Sequence, residues 1–307
     1  MSSASVGPNG FRRAVGNTMQ VLSNLTDAVL AVDGRHGFLP AVPSRAMGER
    51  EVEGARFKGK SDWDLPVTDT HSFGGITLTA ACDDARCFAD LFGGQRTPVY
   101  GHLVLARSAL ETSVVSAWLN EVGVGAEERI KRGLDEQLFS SYELKRAALE
   151  GDKPEDRIKY WKDVAKSFGW SGNKDKDGKV RVDGVGRPSV PVWINRLLVD
   201  GREASIGRTV WSYLSAVNHG TWWGLRDAIV QPPSGRGASG LALAGIGTQS
   251  KSVLAQAACL LVALRRAAIE RFDLMGWADD EWRAVSAVTE RHVVNIIKAG
   301  SSAPGSH

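Results

Sequence analysis

The sequence predicts an all-α protein, a multi-helix bundle interrupted by long irregular insertions. Three observations lead to this fold class. Apolar residues recur every three or four positions in most segments, which places them on one face of a helix. Thr97-Pro98 and Asp279 are typical helix starts, whereas Gly93 and Gly123 are typical helix ends. There is no convincing internal repeat and no sustained heptad pattern, so a bundle is the expected product.

The helices are predicted in order along the chain. The first carries an apolar face from Phe11 to Val29. Helical spacing returns at Leu78 and ends near Gly93, and the next helix runs over 97–123, so this pair is expected to form an antiparallel hairpin. A highly charged helix over about 130–149 should have a solvated outer face. The remaining helices are expected at about 154–168, 192–199, from 206, 250–275 and from 279.

Two segments do not show helical spacing. Glycine, proline and mixed charges dominate 34–75, and 169–190 is polar and rich in glycine. We therefore expect one helical domain over 11–298, with irregular segments at about 34–75 and 169–190 and flexible tails at 1–10 and 299–307. A structureless loop as long as 34–75 is unusual in a compact domain, so it is expected to be a functional excursion, a packed irregular layer or a flap.

Composition narrows the class of protein. With 307 residues, 43% of them hydrophobic, the chain can fill a sizeable core. A net charge of +3 is far below that of a protein that coats DNA, so any nucleic-acid contact must be local. The N-terminus lacks an apolar signal-peptide core, and the longest apolar run, Val253 to Leu264, is too short to span a membrane. The expected location is the cytoplasm.

The sequence predicts no metal and no cofactor. The three cysteines form no CxxC or Cys/His zinc pattern. In NKDKDGKVRVDG, Asn173, Asp175 and Asp177 match the first ligand positions of a calcium loop, but Gly184 stands where the bidentate glutamate is needed. A solvated hairpin or loop is the simpler interpretation. The glycine-rich stretch over 237–250 lacks the GK[ST] ending of a phosphate-binding loop.

The helix after Thr97 carries a charged pair beside its apolar stripe. Arg107 and Glu111 are four residues apart, so they lie next to each other at the edge of the face formed by Leu103, Ala106 and Leu110. A charge close to a core must be paired. The pair is either a structural ion pair at the rim of the bundle or part of a polar pocket in which Arg107 binds an anion.

A later helix carries a polar face that could support proton transfer. In RTVWSYLSAVNHG, the spacing of Arg208, Ser212, Ser215 and His219 places all four within a narrow arc. The simplest interpretation is an amphipathic helix with a solvated face. This face nevertheless holds no lysine or glutamate, and a histidine near serines and an arginine suits acid–base chemistry close to neutral pH.

Two segments together, RSALETSVVSAWLNEVG (107–123) and YLSAVNHGTWWGL (213–225), resemble uncharacterised helical proteins of high-GC bacteria. Those proteins are distantly similar to the HEPN superfamily of helical bundles, some members of which are metal-independent ribonucleases in toxin–antitoxin and antiphage systems. Active members separate an arginine from a histidine by four to six residues, whereas ten residues lie between Arg208 and His219. At ~1.5 Å rise per residue these two side chains are about 16 Å apart along the helix.

The resemblance implies a site that differs from the superfamily's motif. The first hypothesis is a HEPN-like toxin or defence-associated protein that acts on RNA, with His219 as acid or base, Arg107 stabilising the phosphorane, and Glu111 and Ser215 completing one inter-helix site. The second is a non-catalytic module that binds a protein partner or forms a homodimer through an exposed apolar patch. A third is a sensor that holds a small molecule inside the bundle.

Overall fold

The computed structural model describes residues 8–93, 100–147, 153–176, 178–199, 204–221, 235–236, 242–243 and 250–301. These residues form ten helices and two short antiparallel strand pairs, which confirms the all-α class. The helices are α1 (Pro8–His36), α2 (Arg45–Arg56), α3 (Pro66–Asp90), α4 (Gly101–Asn120), α5 (Ala126–Ala147), α6 (Pro154–Ser167), α7 (Val190–Val199), α8 (Ala204–Asn218), α9 (Ser250–Met275) and α10 (Asp280–Ser301). The strands are β1 (Gly172–Lys174), β2 (Val180–Val182), β3 (Gly235–Arg236) and β4 (Ala242–Leu243).

The α3–α4 hairpin is the centre of the bundle, and its antiparallel arrangement is confirmed by contacts at both ends. The Ser116 hydroxyl, near the end of α4, donates to the carbonyl of Gly74 near the start of α3 (2.9 Å). At the other end, the rings of Phe92 and His102 pack edge to face with centroids 5.6 Å apart. Gly74 is required here, because a Cβ at this position would lie 2.5 Å from Asn120 Oδ1. The two helices therefore approach more closely than larger side chains would allow.

The hydrophobic interior consists of two adjoining clusters. The main cluster joins α1, α3, α4, α7, α8, α9 and α10, and it includes Trp277 and Trp282. The second cluster joins the end of α2, the start of α3, α5, α6 and the β1–β2 hairpin around Trp63 and Ile130. Within the described ranges only α9, over Ser252–Met275, is long and apolar enough to span a membrane, and half of its apolar window is buried inside the protein, as in a core helix.

The expectation of an irregular segment over 34–75 is wrong for much of its length. It contains α2, and α3 begins at Pro66, twelve residues before the apolar spacing starts at Leu78. The physical reason is that α2 buries two carboxylates, those of Glu49 and Glu53, so hydrophobic periodicity does not reveal its inner face. Glu53 accepts hydrogen bonds from the backbone amide of Val67 (2.5 Å) and so caps the start of α3.

The segment over 169–190 also contains regular structure. Strands β1 and β2 pair antiparallel, with Gly172 opposite Val182 and Lys174 opposite Val180, so the hairpin interpretation is confirmed. Gly178 has φ +75°, which is the backbone conformation that a tight turn requires of glycine. At the chain ends, α1 begins at Pro8 and α10 continues to Ser301, each reaching three residues into an expected tail. Residues 1–7 and 302–307 lie outside the described ranges.

Candidate functional site

The pair predicted on α4 forms at the contact between α4 and α8. Arg107 Nε lies 3.1 Å from Glu111 Oε1, and the two side chains are 16% and 35% exposed. The pair follows from their i,i+4 spacing, which brings two long side chains on one helix face within reach. A half-exposed ion pair of this kind contributes little to the stability of the fold, but it holds the guanidinium in one orientation.

Trp211 of α8 holds the other side of Arg107. The guanidinium carbon lies 4.5 Å from the centroid of the Trp211 ring, which is a cation–π contact between the two helices. Arg107 Nη1 is buried and has no hydrogen-bond partner among the described residues. The guanidinium is therefore fixed by an anion and an aromatic ring while one of its donor groups stays unused, which is an arrangement that can accept a further anion.

Ser215 belongs to the same face of α8, one turn after Trp211. Its hydroxyl is also buried without a partner in the described part of the chain. Hydroxyl and guanidinium groups both donate hydrogen bonds to phosphate oxygens, and burial without a partner is costly for either group. The α4–α8 site, defined here as Arg107, Glu111, Trp211 and Ser215, thus combines two unsatisfied donors with an aromatic wall.

No hydrogen bond, ion pair or ring contact joins the His219 side chain to these residues in the described part of the chain. It is exposed in the turn that follows α8, and its backbone amide donates to the carbonyl of Ser215 (2.9 Å). At ~1.5 Å rise per residue, His219 lies about 12 Å along α8 from Trp211. Arg208 and Ser212 are exposed as well. The structure therefore brings Arg107 and Glu111 together, places α8 against them, and leaves His219 at the surface.

The described residues contain no group of three or more metal-ligating side chains. In the calcium-like segment, Asp177 lies outside the described residues. Asp175 serves the hairpin, since its carboxylate accepts from the Lys179 amide (2.9 Å) and from Arg181 Nε (3.3 Å). Cys82 and Cys259 carry thiols whose pKa burial raises, to about 11 for Cys259, so neither is a thiolate at neutral pH.

Sequence reasoning missed a cluster of buried charges at the junction of α2, α3 and α5. Arg129 is fully buried and binds Glu49 through both Nε (2.5 Å) and Nη2 (3.0 Å). His71 Nε2 lies 2.9 Å from the same carboxylate, and because a carboxylate only accepts hydrogen bonds, this nitrogen carries the proton. A second buried ion pair lies nearby, between Arg271 Nε and Asp33 Oδ1 (2.9 Å). Arg271 Nη1 also donates to the His71 carbonyl (3.0 Å).

The electrostatics of this cluster are those of structural ion pairs. Burial by itself would raise the pKa of Glu49, but hydrogen bonds from His71 and Arg129 lower it below its ordinary value. Burial lowers the pKa of His71 to about 4, so the ring is neutral near pH 7. The sequence does contain an indication of the buried charges, because Arg129 and Arg132 flank the apolar stripe of Ile130 and Leu134 on α5.

Comparison with known proteins adds no family to these observations: no family model, curated protein or solved structure matches the chain. The similarity of residues 107–123 and 213–225 to HEPN-like proteins therefore stays a prediction from two sequence segments.

Proposed function

We propose that the α4–α8 site binds the backbone of RNA and that the protein is a HEPN-like, metal-independent ribonuclease of the toxin or defence type. One observation carries the proposal. Arg107 Nη1 and Ser215 Oγ, on two helices in contact, are both buried donors without partners among the described residues. A phosphodiester oxygen is an acceptor that would satisfy them, and its charge would complement the guanidinium.

In this proposal Arg107 and Ser215 anchor the strand, and His219 transfers the proton. A neutral imidazole at His219 would accept the proton of an RNA 2′-hydroxyl as that oxygen attacks the adjacent phosphorus. The 5′-oxygen leaves with a proton from water, giving a cyclic phosphate and a free 5′-hydroxyl, and the hydroxide that remains takes the proton back from His219. Because His219 lies about 12 Å along α8 from Trp211, it would act at a different phosphate from the one that Arg107 holds.

The test measures binding and cleavage separately. Binding of a fluorescein-labelled single-stranded RNA is followed by anisotropy, and cleavage of the same RNA by gel electrophoresis in the presence of EDTA. We expect Arg107→Gln to weaken binding at least about tenfold, since a charge-assisted phosphate contact is lost. Arg208→Gln is the matched control, because it removes the same charge from an exposed position on α8. We expect His219→Ala to bind RNA normally and not to cleave it.

Several results would contradict this proposal. Equal affinities of the Arg107→Gln variant and the wild type would remove the binding site. Binding without cleavage by the wild type would remove the nuclease and leave an RNA-binding protein. Cleavage by His219→Ala at the wild-type rate would remove the assigned role of the histidine.

A second candidate function, a non-catalytic interaction module that forms a homodimer, is favoured by an exposed apolar loop between α1 and α2. Phe38, Leu39 and Val42 are 51%, 65% and 81% exposed. The loop backbone is nevertheless fixed, because the Ala41 amide donates to the Met275 carbonyl (2.8 Å) and Trp277 Nε1 donates to the Leu39 carbonyl (2.9 Å). A rigid apolar surface costs little entropy to bury.

Multi-angle light scattering tests this alternative. If the loop is a dimer contact, the wild type has the mass of two chains and the double variant Leu39→Ser/Val42→Ser has the mass of one. A wild-type mass of 33 kDa at every concentration would exclude the homodimer.

A further inference from the structure

A cavity of about 180 Å³ lies between α4, α8 and α9. Each of the three helices contributes one stripe of side chains to its wall. The space exists because three of the facing residues are small, namely Ala106, Ser252 and Ala255. Larger side chains at these positions would close the gap between the helices.

The floor of the cavity is buried and its entrance is not. Leu110 and Leu214 are each 1% exposed and form apolar surface at the bottom. Thr209 and Ala255 also line the cavity and are exposed, so they mark the side from which a molecule would enter. The cavity is therefore a pocket with an apolar base.

One polar side chain in this apolar wall has an atom without a hydrogen-bond partner among the described residues. Gln256 is 8% exposed and lines the cavity; its Nε2 donates to Ser252 Oγ (2.9 Å), while its buried Oε1 has no partner among the described residues. If the amide were turned over, Oε1 would accept from Ser252 and Nε2 would lack a partner instead. Either way one amide atom of Gln256 is left for a bound molecule, and a hydroxyl group can satisfy both cases because it donates and accepts.

The walls also limit the charge and size of that molecule. None of the described residues that line the cavity is an Asp, Glu, Lys, Arg or His, and burial raises the pKa of the Cys259 thiol to about 11, so the described wall carries no charge at neutral pH. A neutral ligand therefore fits better than an ion. Cavities of about 150 Å³ lined by apolar side chains bind benzene, so the present volume suits one six-membered ring.

We propose that this cavity is a binding site for a small neutral molecule that has one ring, or an aliphatic group of similar size, and one hydroxyl group that hydrogen-bonds to Gln256. The site is independent of the α4–α8 site and would function whether or not the protein acts on RNA.

The experiment compares phenol with toluene, two molecules of nearly the same shape of which only phenol has the hydroxyl. Dissociation constants are measured by ligand-observed NMR titration of the full chain. Non-specific hydrophobic binding would favour toluene, which is the more apolar molecule. We expect the wild type to prefer phenol at least about tenfold, because toluene leaves the Gln256 amide unpaired.

Two variants and a control locate the site. Gln256→Leu keeps a branched side chain of similar volume and removes both polar atoms of the amide, so the preference for phenol should disappear. Ala255→Trp at the entrance should weaken phenol binding at least about tenfold by filling the pocket. Gln20→Leu, an exposed glutamine on α1, is the matched control and should leave the preference unchanged.

Measurements on the wild type alone can refute the proposal, so the test does not depend on whether the variants fold. Phenol binding that does not saturate, or equal affinities for phenol and toluene, would overturn the proposal. An unchanged phenol affinity in Ala255→Trp would place the binding elsewhere and would overturn it as well.

Discussion

Asp135→Asn should change the pH dependence of stability by an amount that the structure sets. Asp135 lies on α5 and is fully buried where the helix meets the segment after β2. One oxygen, Oδ2, accepts from the Arg187 amide (2.7 Å), and the other, Oδ1, has no partner among the described residues. Burial raises the pKa of this carboxyl from 3.8 to about 7, because the charged form loses more solvation than the single backbone hydrogen bond returns.

The sign and size of the effect follow from linkage. Below pH 3.8 the carboxyl is protonated in both the folded and the unfolded chain. As the pH rises towards 7, the unfolded chain loses the proton while the folded protein keeps it, so the wild type becomes less stable over this interval. A folded pKa near 7 against 3.8 corresponds to a loss of up to about 4 kcal/mol, at about 1.36 kcal/mol per pH unit. The asparagine variant does not ionise and has no such loss.

Urea unfolding of both proteins from pH 4 to pH 8 measures the difference. The free energy of unfolding of Asp135→Asn minus that of the wild type should rise by about 4 kcal/mol across this range and level off above pH 7. Glu143→Gln is the control, because it removes a carboxylate from an exposed position on the same helix. A change of under about 1 kcal/mol for Asp135→Asn would refute the assignment of a protonated buried carboxyl.

Three further predictions concern residues that hold the bundle together. Arg129→Met should destabilise the protein by about 3–5 kcal/mol in urea unfolding at pH 7.5, because Glu49 would remain as a buried unpaired charge; a loss below about 1 kcal/mol would contradict this. Gly133→Ala should lower the free energy of unfolding by about 1–3 kcal/mol, because the added methyl group would meet the Thr70 hydroxyl. Gly16→Ala, with open space around it, should be neutral or stabilising by up to about 1 kcal/mol. Equal effects of the two substitutions in thermal melts would contradict the packing argument. His102→Phe should remove part of the acid sensitivity of stability between pH 6.5 and pH 4. Burial lowers the pKa of His102 to about 4, so the wild type loses up to about 3 kcal/mol over this interval as the unfolded chain takes up a proton. A variant that loses as much stability as the wild type at pH 5, measured by urea titration, would disprove this.

Apolar spacing predicted those helices whose inner faces are apolar. The α3–α4 hairpin is an example, because Leu78, Phe88, Leu103 and Leu110 are all buried at helical intervals. Helix α2 was missed since the residues that it buries are mainly carboxylates. A carboxylate is normally a solvent-facing residue, and only a partner distant in sequence, Arg129 in this case, makes its burial favourable. That partner cannot be found from local periodicity.

The candidate site likewise has a local part, which the sequence predicted, and a tertiary part, which it did not. The Arg107–Glu111 pair is local, so its spacing was enough to predict it. The contact between Arg107 and Trp211 joins positions more than one hundred residues apart and depends on how α8 packs on α4. No feature of the sequence distinguishes Trp211 from the other tryptophans. The exposure of His219 likewise depends on where α8 ends relative to its neighbours, which is a tertiary property.

The buried charges also determine where α4, and hence Arg107, is held. The last turn of α4 is buried, so its final carbonyl groups cannot be satisfied by water. Arg132 Nη1 donates to the Trp118 carbonyl (2.5 Å), and Arg129 donates to the carbonyls of Leu119 and Glu121. Two cations of α5 thus cap the C-terminus of α4, where the helix dipole favours positive charge. Because these hydrogen bonds fix the rotation and the axial position of α4, a substitution at Arg129 or Arg132 should displace Arg107 relative to Trp211, although neither arginine contacts the candidate site.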